Sequence, residues 1–276
     1  MPLGPRSGTV IPSMYSIDPA QISLLLGHEL FGRGPTRVVI MNDWLCDTST
    51  WDGARRFLDE TRFTFAFADL RGYGRSRGRS GAFTVAEAGS DVLALADALA
   101  WARFAIVGHS MSALVALHLA QHHADRITRA VLLTPPPPTG FGADEAMVEA
   151  SRALVLADDA TRLAVLAQRF DSRLSPAWAN YKASRFCASA DPAAAAGYVS
   201  MFARDGLPDP TAQVTIPVLA ITGEQDAPPM RSDAVKQSLT PLCAQLVLTP
   251  LGDSGHYPMQ EMPPLTVALV ERFLGV

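Results

Sequence analysis

The sequence predicts an α/β protein: a mostly parallel central sheet with helices on both faces and an inserted helical cap. Three observations lead there. Short unbroken apolar runs, VVIM at 38–41, AIV at 105–107, AVLL at 130–133 and VLAI at 218–221, suit strands buried on both sides. Stretches with helical apolar spacing alternate with these runs, and that order favours parallel neighbours. Between 135 and 210 the strand signal vanishes and only helical stretches remain.

The chain has 276 residues, enough for one large α/β domain or a domain with a small insertion. Apolar residues are 48% and charged residues 18%, so a sizeable core is available. The net charge of −4 and the lack of a basic stripe argue against a nucleic-acid partner. No run reaches the roughly 18 apolar residues of a membrane span. Cys46, Cys187 and Cys243 follow no disulfide or zinc spacing and read as buried thiols.

Taken in order, residues 1–20 carry no pattern and lack the apolar stretch of a signal peptide, so a soluble, cytoplasmic protein is expected. Ile22 to Phe31 predicts a strand, closed by GRGP. Arg37 to Met41 is a buried strand, Asn42 to Thr50 a polar loop, Trp51 to Glu60 a helix, and 63–70 (FTFAFADL) a strand. The glycine- and arginine-rich stretch 71–83 forms no regular element. Thr84 to Ala100 carries a broad apolar stripe behind a capping threonine. Strand Phe104 to Val107, helix Met111 to His123 and strand Ala130 to Leu133 follow. PPPPTGFG opens the insert, whose helices fall near 144–157, 160–170, 175–187 and 192–205, and GLPDP closes it. The core resumes with strand Pro217 to Thr222, a helix near 230–239, a strand near 244–249 and a helix over 262–274. The division expected is thus a core of 1–134 and 211–276, with 135–210 as a cap over the C-terminal sheet edge, where open α/β sheets bind ligands.

The chemistry centres on GHSMS at 108–112. A strand that turns directly into a helix leaves one residue in a strained turn, and residues two before and two after it must be small. Gly108 and Ser112 fill those places and present Ser110, with the Met111 amide beside it. A bland alternative is a helix-capping serine. A serine hydroxyl needs a base, and the base an orienting carboxylate. Asp226 follows strand VLAIT in GEQDAPP, and His256 follows QLVLTP in LGDSGHYP. All three sit at C-terminal strand ends on one sheet edge. Asp253 is the rival carboxylate. His109 is expected to pack or hydrogen-bond rather than catalyse. His28, His118, His122 and His123 show no ligand set.

With these motifs, and with DLRGYGRS at 69–76, GEQD at 223–226 and GHYPMQEMP at 255–263, the chain resembles the α/β-hydrolase family from about residue 22 to its end. The resemblance implies Ser110 as nucleophile, Asp226 as acid and His256 as base, and 135–210 as the family's cap. More loosely, it is similar to small esterases and lactonases related to plant strigolactone receptors. One departure stands out: Asn42-Asp43 occupy the places where the family has His-Gly after its third strand. The Trp44 amide then becomes the second oxyanion donor, beside that of Met111. A carboxylate there opposes oxyanion stabilisation unless paired or turned away. Asp43 either turns out to cap the helix near Trp51 or to accept amides of its own loop, or contacts a polar or cationic substrate group, or serves a modified chemistry.

The resulting expectation is two-step acyl transfer on a small to medium, largely apolar carboxylic ester or lactone, without metal. Trp178, Phe186 and Met201 are candidate pocket walls and equally candidate core. Arg71 and Arg75 belong to no phosphate loop and are expected to tie loops together or be solvated. No second and third glycines follow IVGHS, so no nicotinamide or flavin is expected. A carbon–carbon bond hydrolase or cofactor-free peroxidase-like enzyme, and a receptor with slow turnover, are the alternatives. Oligomeric state is left open.

Overall fold

The computed structural model describes residues 25–169 and 173–275. Among the described residues seven strands form one sheet in the order β1-β3-β2-β4-β5-β6-β7. They are β1 (His28–Gly32), β2 (Thr36–Met41), β3 (Phe63–Ala68), β4 (Phe104–His109), β5 (Ile127–Leu133), β6 (Val218–Gly223) and β7 (Leu246–Leu251). β1 pairs antiparallel with β3; every other pairing is parallel.

Side chains alternate across a strand, so each buried run feeds two layers. Val38, Ile40, Val107 and Leu133 face one layer, with Trp51, Val267 and Val270. Val39, Met41, Ile106 and Leu132 face the other, against α1 (Val85–Ala98), α2 (Met111–His122) and the later helix Ser232–Leu239. This two-sided burial is why the central runs lack polar alternation.

Between β5 and β6 lie α3 (Glu145–Leu156), α4 (Asp159–Arg169), α5 (Pro176–Ser189) and α6 (Pro192–Ser200). These helices form a cap. Their buried residues Val155, Leu166, Phe186 and Tyr198 join the α1/α2 layer in one cluster, so cap and sheet share a core. After β6 come α7 (Ser232–Leu239) and α8 (Pro263–Leu274). Among the described residues no helix is long and apolar enough to cross a membrane.

Several boundaries differ from expectation. The strand expected over Ile22 to Phe31 begins at His28, and its first residues lie outside the described ones. Trp51 to Glu60 is not one helix. The Asp47 side chain caps a 3-10 turn, Thr48–Trp51, and a single helical turn, Asp52–Arg55, follows. The chain then tightens, Phe57 N–H donating to Ala54 and Leu58 N–H to Arg55. The helix expected over 192–205 widens into a π turn at Met201–Asp205. There the Phe202 and Ala203 carbonyls accept from Phe141 and Ala143 of the neighbouring loop, and Gly206 (φ 64°) ends the turn. A short helix, Pro258–Glu261, precedes α8.

Candidate active site

Ser110 sits between β4 and α2 with φ 53° and ψ −120°. Such a conformation costs a non-glycine residue about 1–3 kcal/mol, and the surroundings enforce it. The Ser110 amide donates to Leu133 O at 3.0 Å and its carbonyl accepts from Ala113 N–H at 2.9 Å. A Cβ on Gly108 would lie 2.4 Å from Ser112 O and 2.7 Å from Ala113 Cα, so only glycine fits. Ser112 does more than stay small: its hydroxyl accepts from His109 N–H (2.9 Å) and donates to His109 O (3.1 Å), closing the turn. The Ser110 side chain does not cap α2, which removes the capping reading.

Asp226 and His256 are brought together by two laced loops. Glu224 N–H donates to Leu251 O and Gln225 N–H to Ser254 O, both at 3.0 Å. Gly223 lies against the base loop: a Cβ there would be 2.0 Å from Gly255 O. Glu261 holds the loop from below, accepting from Gly255 N–H (2.7 Å) and Tyr257 N–H (3.0 Å). Within this frame His256 Nδ1 meets Asp226 Oδ2 at 2.7 Å. The second Asp226 oxygen accepts from Ala227 N–H at 2.7 Å. Among the described residues the rival Asp253 carboxylate makes no bond to His256; its backbone carbonyl accepts from Arg173.

Burial alone would raise the Asp226 carboxyl, but the His256 imidazole and the hydrogen bonds hold it below the usual carboxylate range. Burial alone would lower His256. The Asp226 charge and hydrogen bond outweigh it, Asp43 adds to them, Lys182 opposes, and the imidazole ends above its ordinary value. His109 is pushed well below its own by burial and by the neighbouring His256. Its Nε2 donates to His256 O at 2.7 Å, and the Thr134 hydroxyl donates to the same carbonyl at 3.1 Å. The base loop is therefore pinned to the residue preceding Ser110. His256's ring bonds Asp226; among the described residues no hydrogen bond joins that ring to Ser110.

The loop after β2 explains half of its unusual sequence. Asn42 Nδ2 donates to the carbonyls of Asp43 (2.8 Å) and Cys46 (3.1 Å), while its Oδ1 accepts from Leu70 N–H (2.7 Å). Asn42 thus shapes the turn from inside. Trp44 is held at both ends, its carbonyl by the Tyr73 hydroxyl (2.7 Å) and its Nε1 by the cap carbonyl Ala195 O (2.8 Å). The N–H groups of Trp44 and Met111 enter no turn, loop or cap hydrogen bond among the described residues.

Asp43 does not turn out. It is 2% exposed, and the nearby 3-10 turn is capped by Asp47 instead. Burial raises its carboxyl, opposed by Lys182, His256 and the Tyr257 hydroxyl. Of the proposed pocket walls, Trp178 packs edge-on to Tyr257 at 5.6 Å. Phe186 is in the shared core. Met201 is too, and it also lines a cavity of about 320 Å³ whose walls include none of Ser110, Asp226 and His256. Arg71 and Arg75 act as ties: Arg71 forks onto Asp91 of α1 (2.6 and 2.8 Å) and donates to Ser80 O in its own loop, and Arg75 bonds Asp69. The His118 and His122 rings meet at 4.8 Å, tilted by 58°, and no group of metal-ligating side chains occurs among the described residues. Sequence reasoning missed Lys182, buried on α5; a lone lysine in an alanine-rich helix gives no such signal.

Residues 45–257 match the family described as alpha/beta hydrolase fold. A protein of Caulobacter sp. (strain K31) named for carbamate hydrolysis, RutD, is 35% identical over 112 residues, 39% of this chain and 41% of that relative. The enol-lactonase from Burkholderia xenovorans LB400 superposes with TM-score 0.76 at 24% identity, covering 91% of this chain and 96% of that one. A thermophilic esterase from Thermogutta terrifontis gives 0.76 at 22% identity, covering 90% and 92%. At such identities the structural likeness carries the fold.

Proposed function

Because the chain belongs to the alpha/beta hydrolase fold family, we propose that it cleaves a small to medium, largely apolar carboxylic ester or lactone through an acyl-enzyme on Ser110. The observation that carries this reading is the 2.7 Å bond from Asp226 to His256, on a loop pinned to the residue before a strained, uncapped serine. His256, oriented by Asp226, takes the Ser110 proton as the hydroxyl attacks the carbonyl. The Trp44 and Met111 amides receive the oxyanion. His256 then protonates the leaving alcohol and activates the water that releases the acyl group. The division into core (1–134, 211–276) and cap (135–210) belongs to this reading. So does a cytoplasmic setting, with which three free cysteines agree.

The buried Asp43, which acts on His256, favours a second reading, carbon–carbon bond hydrolysis, because a carbanion leaving group needs a further proton transfer and a second ionisable group near the base suits it. One assay separates the two. Aryl esters of graded acyl length and a 1,3-diketone are offered to the wild type and to Ser110→Ala. Ester turnover that is lost in S110A supports the first reading. Inert esters with diketone cleavage support the second.

A further inference from the structure

Arg173 lies in the cap, between α4 and α5, and its side chain reaches the base loop of the core. Its Nη1 donates to Asp253 O at 3.1 Å and its Nη2 to Glu261 Oε2 at 2.9 Å. One planar guanidinium thus bridges the two ends of the segment that has His256 in its middle.

Glu261 is the link between them. Its side chain is 4% exposed, and a buried carboxylate needs a counter-charge. Arg173 supplies one. The oxygen that meets Arg173 also accepts from Gly255 N–H, and the other accepts from Tyr257 N–H, so the bonded amides flank His256. A salt bridge exposed on both sides would add little; here one partner is buried and carries the loop.

α5 adds a hold on the residue after the base. Trp178 and Lys182, one turn apart on that helix, both meet the Tyr257 ring, Trp178 edge-on at 5.6 Å and Lys182 Nζ 3.6 Å from its centre. That ring lies 5.1 Å from the His256 ring. The core, through His109 and Thr134, holds His256 by its own carbonyl. A carbonyl contact fixes a point. The tilt of the peptides on either side is left to the Gly255 and Tyr257 amides, and those hang on Glu261.

We propose that Arg173 is a positioning residue for the base: by bracing Glu261 and the Asp253 carbonyl, it makes the alignment of His256 depend on the seating of the cap. This rests on the hydrolase reading for the role of His256 and not for the contacts themselves.

Two measurements on the full chain test it, in the wild type, Arg173→Met and Arg173→Lys. The first needs no turnover. Proton NMR follows solvent exchange of the His256 Nδ1–H bonded to Asp226, which should quicken about tenfold or more in R173M as the loop opens locally. The second is hydrolysis of 4-nitrophenyl acetate. A misplaced base should lower kcat by about tenfold to a hundredfold in R173M, with KM within about twofold. Lysine keeps the charge but cannot fork onto both acceptors, so R173K should fall between the two, and it carries the test should R173M not fold. Unchanged exchange, no protected resonance in the wild type, or a lower denaturant midpoint with kcat unchanged overturns the proposal. A wild type inert towards the ester counts against the hydrolase reading alone, because the exchange rates still decide the positioning role.

Discussion

His109 Nε2 donates to the backbone carbonyl of His256 across 2.7 Å, with the two rings 5.1 Å apart. The carbonyl can only accept, so this contact fixes the His109 tautomer, and burial keeps that ring neutral. The residue before the nucleophile thereby positions the loop that carries the base. His109→Ala should lower kcat by about tenfold to a hundredfold with a smaller change in KM. His109→Gln, which retains a donor, should recover part of the loss. Steady-state kinetics of the three proteins decides the matter, and an equal loss in both variants would point to packing instead.

The choice between carboxylates can be put to the same assay. Asp226→Asn should reduce kcat on the order of 10⁴, because the amide cannot support the imidazolium. Asp253→Asn should leave kcat within about twofold, since it is the Asp253 backbone carbonyl that accepts from Arg173 and surface changes are usually small.

The pH profile follows from the charges that face His256. They are Asp226 after β6, Asp43 after β2 and Lys182 on α5, with His109 neutral at the end of β4. The base works when deprotonated, and its pKa is raised above 6.5, so kcat/KM should fall on acidification through a value above 6.5. Asp43→Asn removes an anion that favours the imidazolium and should move this limb down. Lys182→Met removes an opposing cation and should move it up. Limbs that coincide in all three proteins would exclude this electrostatic coupling.

The elbow makes a stability prediction. Ser112→Ala deletes both hydroxyl bonds to His109 and should cost about 1–3 kcal/mol in denaturant unfolding, as a buried amide is left unpaired. Gly108→Ala drives a Cβ into the first turn of α2 and should cost at least as much, with loss of activity.

The sheet was legible because parallel strands buried on both faces leave uninterrupted apolar runs, as at Val38 to Met41 and Val218 to Ile221. Edges were harder. β7, expected near 244–249, spans Leu246–Leu251, and its half-exposed residues blur the pattern. The Trp51 helix was overestimated because Asp47, a loop residue by its sequence, starts the turn early. The motifs located Ser110, Asp226 and His256 on their loops. What stayed hidden were roles set by tertiary neighbours: Asn42 holding its own loop, Ser112 locking His109, and Lys182 inside rather than on the surface. Asp43 could be flagged as odd from its neighbours in the chain, but its burial could not.

The close approach of Gly223 to Gly255 carries a practical consequence for protein engineering. With no room for a side chain between them, 223–227 and 252–261 behave as one cassette. A chimera that imports either segment alone from a homologue would misalign the imidazole, whereas exchanging both together should preserve its alignment.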